Sequence, residues 1–246
     1  MPDVRLLEEC CLNAWPAPRT LLVGGWVVRI GGGYTKRANS ASALSPRGPF
    51  APVLEAAERL YAAHGQEPIF RITPLAPAYA DRELAAEGYR VHDPVRVLAR
   101  PIGPPERSAA GALRIDRAPT EAWLAGSAAA NGVPWPLREA HDELHRLITP
   151  PAAFATLTVD GPAAGFGVAV LDRDIVGLFG LVVRPEFRGR GLGAALTQGL
   201  ASWGAANGAT SAYLQVMEAN APARELYAKL GFSEAYRYHY RVRPPA

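Results

Sequence analysis

The same succession of elements occurs twice in this chain of 246 residues. Apolar residues at helical spacing (Val53, Leu54, Ala57, Leu60, Tyr61) predict a helix over 51–64 that stops at Gly65. A strand pattern at 68–74 and a helix over 79–87 follow, then Gly88, Tyr89 and a strand to Ala99. The second half reads as a helix over 191–206, Gly208, a strand at 211–217, a helix at 221–230, Gly231, Phe232 and a strand at 234–242. Gly65 and Gly208, Phe70 and Tyr213, and Gly88 and Gly231 all stand 143 residues apart. A period of that length predicts two tandem α/β units, since solenoid repeats are far shorter. The segment 101–111, with Pro101, Gly103, Pro104 and Pro105, reads as the linker, giving units of 1–105 and 106–246.

Each half has further elements. Residues 3–14 predict a helix with Leu6, Leu7, Cys10 and Cys11 on one stripe, and 20–30 a strand through Leu21, Val23, Trp26 and Val28. Residues 40–50, rich in Ser, Pro and Gly, read as a loop. Beyond the linker come a strand at 113–115, helices at 119–129 and 136–147, and strands near 153–159, 164–171 and 174–183.

Composition excludes several classes of protein. With 49% hydrophobic and 20% charged residues, the chain can fill a globular core. No apolar run reaches the roughly 18 residues of a membrane span, and Asp3, Arg5, Glu8 and Glu9 argue against a leader peptide. The expected location is the cytosol. A net charge of +3, spread over both halves, calls for neither nucleic acid nor a membrane surface. Cys10 and Cys11 are adjacent, which suits two buried apolar residues and not a structural disulfide. No metal site is expected. His141 and His145 lie four residues apart but lack a third ligand or the glutamate of a zinc helix.

The densest chemical signal is the run from Val182 and Val183 through Arg184-Pro-Glu-Phe-Arg188-Gly189-Arg190-Gly191-Leu192-Gly193-Ala194. A strand enters a turn with three alternating glycines, and a helix leaves it. Glycines let backbone N–H groups approach an anion, and the helix N-terminus adds unpaired donors and partial positive charge. Arg188 and Arg190 add formal charge. The pattern points to a phosphate or pyrophosphate. It lacks the Lys-Ser/Thr of a P-loop and the later acid of a dinucleotide fold.

At these residues the chain resembles the GNAT superfamily of acyl-CoA-dependent N-acyltransferases, whose pyrophosphate loop reads [Q/R]-x-x-G-x-[G/A]. A second segment supports the resemblance. Asn220-Ala-Pro-Ala223-Arg-Glu-Leu-Tyr227-Ala-Lys-Leu-Gly231-Phe232 looks like the family's N-x-x-A-x-x-L-Y-x-x-x-G-F. Its own physics is consistent: Asn220 is a good helix cap, Pro222 suits a first turn and Gly231 a helix end. The resemblance covers about 106–246. It implies an α/β (α+β) fold built of two GNAT-like units, with a mixed, mostly antiparallel central sheet flanked by helices.

By that resemblance the strands at 174–183 and 211–217 splay apart and admit the pantetheine arm of acetyl-CoA. Backbone around Leu181, Val182 and Val183 then binds that arm. Arg188, Gly189, Arg190, Gly191, Leu192, Gly193 and Ala194 hold the pyrophosphate, with Asn220 and Ala223 nearby. Tyr227 is the expected general acid, protonating the departing thiolate. The acceptor is expected to be a small amine or amino-acid-like molecule that attacks the thioester directly, with a protein N-terminus or lysine as the alternative. The base stays open among Asp174, Glu218, His239 and none, because 175–183 holds no ionisable residue. A rival reading is a non-catalytic acyl-CoA-binding regulatory module.

Shifted by 143, Arg188, Gly191, Gly193 and Tyr227 land on Ser45, Gly48, Phe50 and Leu84, so the first unit is expected to be degenerate. It supports the working unit or walls the acceptor pocket, where Trp123 and Trp135 are also expected. The polar run from Gly33 to Ser40 reads as an ordinary turn or, alternatively, a substrate-recognition loop.

Overall fold

A computed structural model describes residues 2–104 and 112–243. Most of the linker expected at 101–111, and with it the boundary at 105, lies outside the described residues. The first half comprises α1 (Val4–Ala14), β1 (Arg19–Val23), β2 (Trp26–Ile30), β3 (Ala41–Ala43), α2 (Ala51–Ala63), β4 (Ile69–Ile72), α3 (Ala78–Ala86) and β5 (Arg90–Pro101). Next come β6 (Ala112–Asp116), α4 (Glu121–Ala130), α5 (Arg138–Arg146), β7 (Ala152–Thr158), β8 (Ala163–Asp172) and β9 (Ile175–Val183). The last elements are α6 (Leu192–Ala206), β10 (Ser211–Met217), α7 (Ala221–Lys229) and β11 (Ser233–Val242). The fold is α/β, with one mixed, mostly antiparallel sheet flanked by helices. No helix among the described residues is long and apolar enough to cross a membrane.

The internal repeat is visible at atomic detail. Gln66 N–H donates to Tyr61 O and Ala209 N–H to Gly204 O, at 3.0 and 2.9 Å. Tyr89 N–H donates to Leu84 O and Phe232 N–H to Tyr227 O, at 2.9 and 3.0 Å. These are the six-residue closures that end helices at a glycine.

The eleven strands among the described residues form one sheet in the order β1-β2-β3-β4-β11-β5-β10-β9-β8-β7-β6. At its centre the halves interlock. β11, the last strand of the second half, pairs with β4 and β5. β5, the last strand of the first half, pairs with β10 and β11. Each half has therefore given its final strand to the other. The parallel pairs among the described strands, β3–β4 and β9–β10, lie just outside this exchanged pair, one in each half.

Two sequence expectations are corrected. The strand expected over 20–30 is a hairpin, with Val23 opposite Trp26 across Gly24 and Gly25, a dipeptide suited to a two-residue turn. The loop expected over 40–50 contains β3, whose Ala-Ser-Ala carries no strand signal yet is buried throughout.

Helix α1 packs on the sheet through Leu7, Cys10 and Cys11, each buried as expected. Among them lies Glu8, fully buried, which pairs with the buried Arg71 of β4 and accepts the Tyr236 hydroxyl of β11. The Arg71 guanidinium lies 3.9 Å from the Tyr238 ring centroid. Losing either member of such a pair leaves an uncompensated charge, at a cost of about 3–5 kcal/mol. The network thus fastens α1 to the exchanged strand.

His141 and His145 lie with ring centroids 4.4 Å apart and planes tilted by 49° inside an aromatic cluster of Trp15, Tyr34, Trp123 and Phe154. His145 Nδ1–H donates to His141 O at 2.7 Å. Burial, then the neighbouring His141, lowers the His145 pKa to about 4. Burial lowers His141 as well. An unfolded histidine titrates near 6.5. Below that pH the unfolded chain takes up a proton that the folded chain refuses, so stability falls as pH drops. Between pH 7.5 and 5.0, His145 alone should remove about 2 kcal/mol. Urea unfolding at the two pH values checks this, with His145→Phe expected to flatten the difference. Equal wild-type stability at both would refute it.

Candidate active site

β9 and β10 pair only from Ile175–Leu178 against Ser211–Leu214, although both strands continue. Beyond that point β9 loses its β10 partner. On its other edge β9 stays paired with β8, but Phe166 faces Val182 while Val168 faces Phe179. The extra residue makes a bulge, and Gly180 within it adopts φ +58°. The bulge turns β9 away from β10 and opens the gap expected from the sequence.

Two cavities fill that gap. The smaller, about 260 Å³, lies between the strands and is lined by Phe179, Gly180, Gln215, Met217, Asn131 and Arg37, among others. The larger, about 710 Å³, is lined by Leu181, Val182, Val183, Phe187, Arg188, Gly189, Gly191, Leu192, Gly193, Ala194 and neighbours. Leu181, Asn220, Ala223 and Tyr227 line both. The structure thus gathers the candidate cofactor residues around one space. Arg190 is off its wall, with its guanidinium 5.8 Å from the Phe187 ring centroid.

The turn into α6 is built to leave donors free. Gly189 and Gly191 both have positive φ, +75° and +74°, a backbone that side chains disfavour. Gly191 is the N-cap of α6 and offers no side chain to it. The first intrahelical bond is Ala195 N–H to Gly191 O, so the amides of Leu192, Gly193 and Ala194 lack helical acceptors at the cavity wall. Arg188 folds back on its strand, with Nε donating to Val183 O at 3.2 Å. Unpaired amides, a helix dipole and an arginine make this a site for a multiply charged anion. The residues present fit a coenzyme pyrophosphate.

Asn220 caps α7, its side chain accepting from Ala223 N–H at 3.2 Å. α7 carries Tyr227 at the junction of the two cavities, with its ring edge-on to Phe232 at 6.0 Å. Burial raises the Tyr227 pKa, keeping the phenol protonated.

The candidate bases lie elsewhere. Asp174 precedes β9 at the end away from the loop and accepts the Thr210 hydroxyl at 2.7 Å. Glu218 is held by Arg96 at 2.5 Å and Arg237 at 3.4 Å, and the Arg96 hydrogen bond lowers its pKa. His239 donates to Asp81 of α3 at 3.0 Å, on the first-half side of the sheet. None of the three lines either cavity. Trp123 is also displaced from the expected acceptor pocket. It is a core residue, with its indole N–H donating to Ala155 O at 3.0 Å. Trp135 is 85% exposed and lines neither cavity.

In the first half the equivalent region is filled. Phe50, where the repeat places Gly193, packs against Trp26 and Phe70 at 5.1 and 5.6 Å between ring centroids. Leu84 stands at the Tyr227 position and is fully buried.

Of the run Gly33–Ser40, read as an ordinary turn or a substrate-recognition loop, Arg37 lines the smaller cavity; sequence reasoning did not single out Asn131, Phe179, Gly180 or Gln215. A glycine inside a strand was an available signal for the bulge. Gln215 is positioned by its neighbours: its amide lies 2.8 Å from Cys11 Sγ, and it accepts the Tyr238 hydroxyl at 2.7 Å.

Residues 2–241 match the family described as "Probable histone acetyltransferase Rv0428c C-terminal". An uncharacterized N-acetyltransferase, YobR of Bacillus subtilis, is 30% identical over 249 residues, covering 99% of this chain and all of that one. The [ribosomal protein bS18]-alanine N-acetyltransferase of Salmonella typhimurium is 38% identical over 79 residues, 32% of this chain and 53% of its own. A GCN5-related N-acetyltransferase from Kribbella flavida has the same fold, with a TM-score of 0.75 at 18% identity over 100% and 98% of the two chains. A tandem GNAT protein from the clavulanic acid biosynthesis pathway superposes at a TM-score of 0.64 with 15% identity, over 94% and 86%. With a family match spanning nearly the whole chain, the protein belongs to this acetyltransferase family of the GNAT superfamily.

Proposed function

We propose that the protein is an N-acetyltransferase that moves the acetyl group of acetyl-CoA to the amine of a small molecule. One observation carries the reading. Tyr227 stands where the anion-binding cavity meets the cavity between the splayed strands. A donor held by the α6 turn and the free edge of β9 has its thioester end directed there.

Acetyl-CoA supplies the activated acetyl group. The chain does the rest. The amides of Leu192, Gly193 and Ala194 hold the pyrophosphate, and the unpaired edge of β9 aligns the pantetheine arm. As the amine nitrogen bonds to the acetyl carbon, the carbon–sulfur bond breaks and the Tyr227 hydroxyl gives its proton to the thiolate; the nitrogen then sheds its remaining excess proton to solvent, and solvent returns one to the Tyr227 phenolate. No carboxylate or imidazole lines the cavities among the described residues. The amine therefore loses its proton to solvent before it attacks. A purely acyl-CoA-binding module would share the donor site but turn over no amine.

Thermal unfolding tests the donor site. Acetyl-CoA at 100 times its dissociation constant should add about 2.7 kcal/mol, a rise of roughly 5–10 °C for a chain of this size; NAD and ATP should not. Gly191→Glu places a carboxylate at the anion site and should abolish the shift. A shift that survives the substitution would sink the assignment of the loop.

Tyr227→Phe should keep that shift yet lower kcat by roughly 10²–10⁴-fold, the range of general acid catalysis. An unchanged kcat would leave Tyr227 a packing partner of Phe232. Because burial raises the phenol above its usual pKa near 10, the wild-type rate should climb with pH as the amine deprotonates. It should show no descending limb below about pH 10. A fall between pH 8 and 9 would count against Tyr227 as the acid.

A further inference from the structure

The cavity between β9 and β10 takes one lining residue, Arg37, from the first half of the chain, and its chemistry is specific. The turn at Lys36–Ala38 is braced from several sides. Asn39 Oδ1 accepts the N–H groups of Gly31 and Gly33 at 2.8 and 3.0 Å, and its Nδ2 donates to Thr35 O at 2.7 Å. Trp15 Nε1 donates to the Thr35 hydroxyl at 3.0 Å, and Lys36 pairs with Asp93 at 2.8 Å. From this turn Arg37 reaches the cavity that Tyr227 also lines. Its guanidinium lies 5.1 Å from the Trp15 ring centroid and 5.5 Å from that of Phe179.

Arg37 has no ion-pair partner among the described residues, and its Nε is buried without a hydrogen bond. Two more guanidinium groups, Arg29 and Arg71, are buried nearby and feel its charge. The one carboxylate buried with them, Glu8, is already engaged by Arg71 and Tyr236. Three arginines thus share one buried carboxylate, and of the three it is Arg37 that lines the cavity. A buried charge without a partner is unfavourable, and a rigid planar fork is suited to a carboxylate.

We propose that Arg37 binds a carboxylate on the acceptor, which makes the acceptor a small amino-acid-like amine and excludes a polyamine or a lysine-rich protein tail. The inference rests on the N-acetyltransferase reading, because the amine must meet the donor at Tyr227. A cavity of about 260 Å³ suits a molecule of that size. Like charge in the wall repels a polycation, whereas a carboxylate completes the missing pair.

The test follows CoA thiol release by the full chain supplied with acetyl-CoA. Three acceptor sets are compared: free α-amino acids, their carboxamides, and spermidine with a lysine-rich peptide. Turnover should be confined to the carboxylates. Arg37→Ala should lower kcat/KM by about 30-fold or more, chiefly through KM, with Arg37→Lys recovering part of the loss. Arg37→Ala should also keep the acetyl-CoA thermal shift, which separates loss of an acceptor contact from loss of the donor site. Carboxamides matching the acids, turnover of only the cations, or an unchanged kcat/KM in Arg37→Ala would each overturn the proposal. So would acetyl-CoA binding with no carboxylate turned over. A wild-type chain that fails to bind acetyl-CoA would overturn the proposed function itself, and this inference with it.

Discussion

Backbone groups inside a sheet must find partners, and the site exists because β9 is released from that requirement along one edge. Up to Leu178 it is an ordinary central strand, bonded to β8 and β10. Past that residue the Gly180 bulge turns it, and the row facing β10 is left without a strand partner. Two nearly parallel walls then diverge within a rigid sheet. A ligand that enters finds backbone hydrogen-bonding groups already fixed in place, so binding it requires little reordering of the protein.

The first half repeats the helix–strand order of the second with a packed aromatic cluster in place of a gap. Its helix-ending hydrogen bonds match those of the second half at the same spacing. Phe50, Phe70 and Trp26 fill the corresponding space with aromatic rings. What it offers the active half is a braced turn carrying Arg37 and a strand, β5, beside β10. Through Arg37 the first half lines the cavity beside Tyr227.

The sequence made much of this readable where the information is local. Helical spacing, Gly65, Gly88, Gly208 and Gly231 located α2, α3, α6 and α7 within a few residues. The glycine turn and the Asn220–Phe232 segment led to the two cavities, because each forms from one contiguous run. Long-range features were not readable. Arg37 meets Phe179 and Tyr227 only through a sheet that joins residues far apart in the chain. Nothing near Tyr89–Pro101 foretells that β5 pairs with β10 and β11 and not with β4. Trp123 has the size and polarity of a pocket residue, but α4 turns it inward to a backbone acceptor. β3 is too short and too small in side chain to leave a pattern.

The exchanged strands also govern when the protein becomes a protein. β11 follows every other described element in the chain, yet it sits between β4 and β5 near the middle of the sheet. While the chain is being synthesised, β4 and β5 emerge early and wait for more than 130 residues with open edges, because their shared neighbour has not yet been made. Unpaired strand edges are sites of mispairing between chains. The first half has an aromatic core of its own, but the sheet edges of β4 and β5 that face each other stay unpaired until β11 is present. Tyr236, Tyr238 and Tyr240, buried on β11, complete the cluster that residues of both halves share.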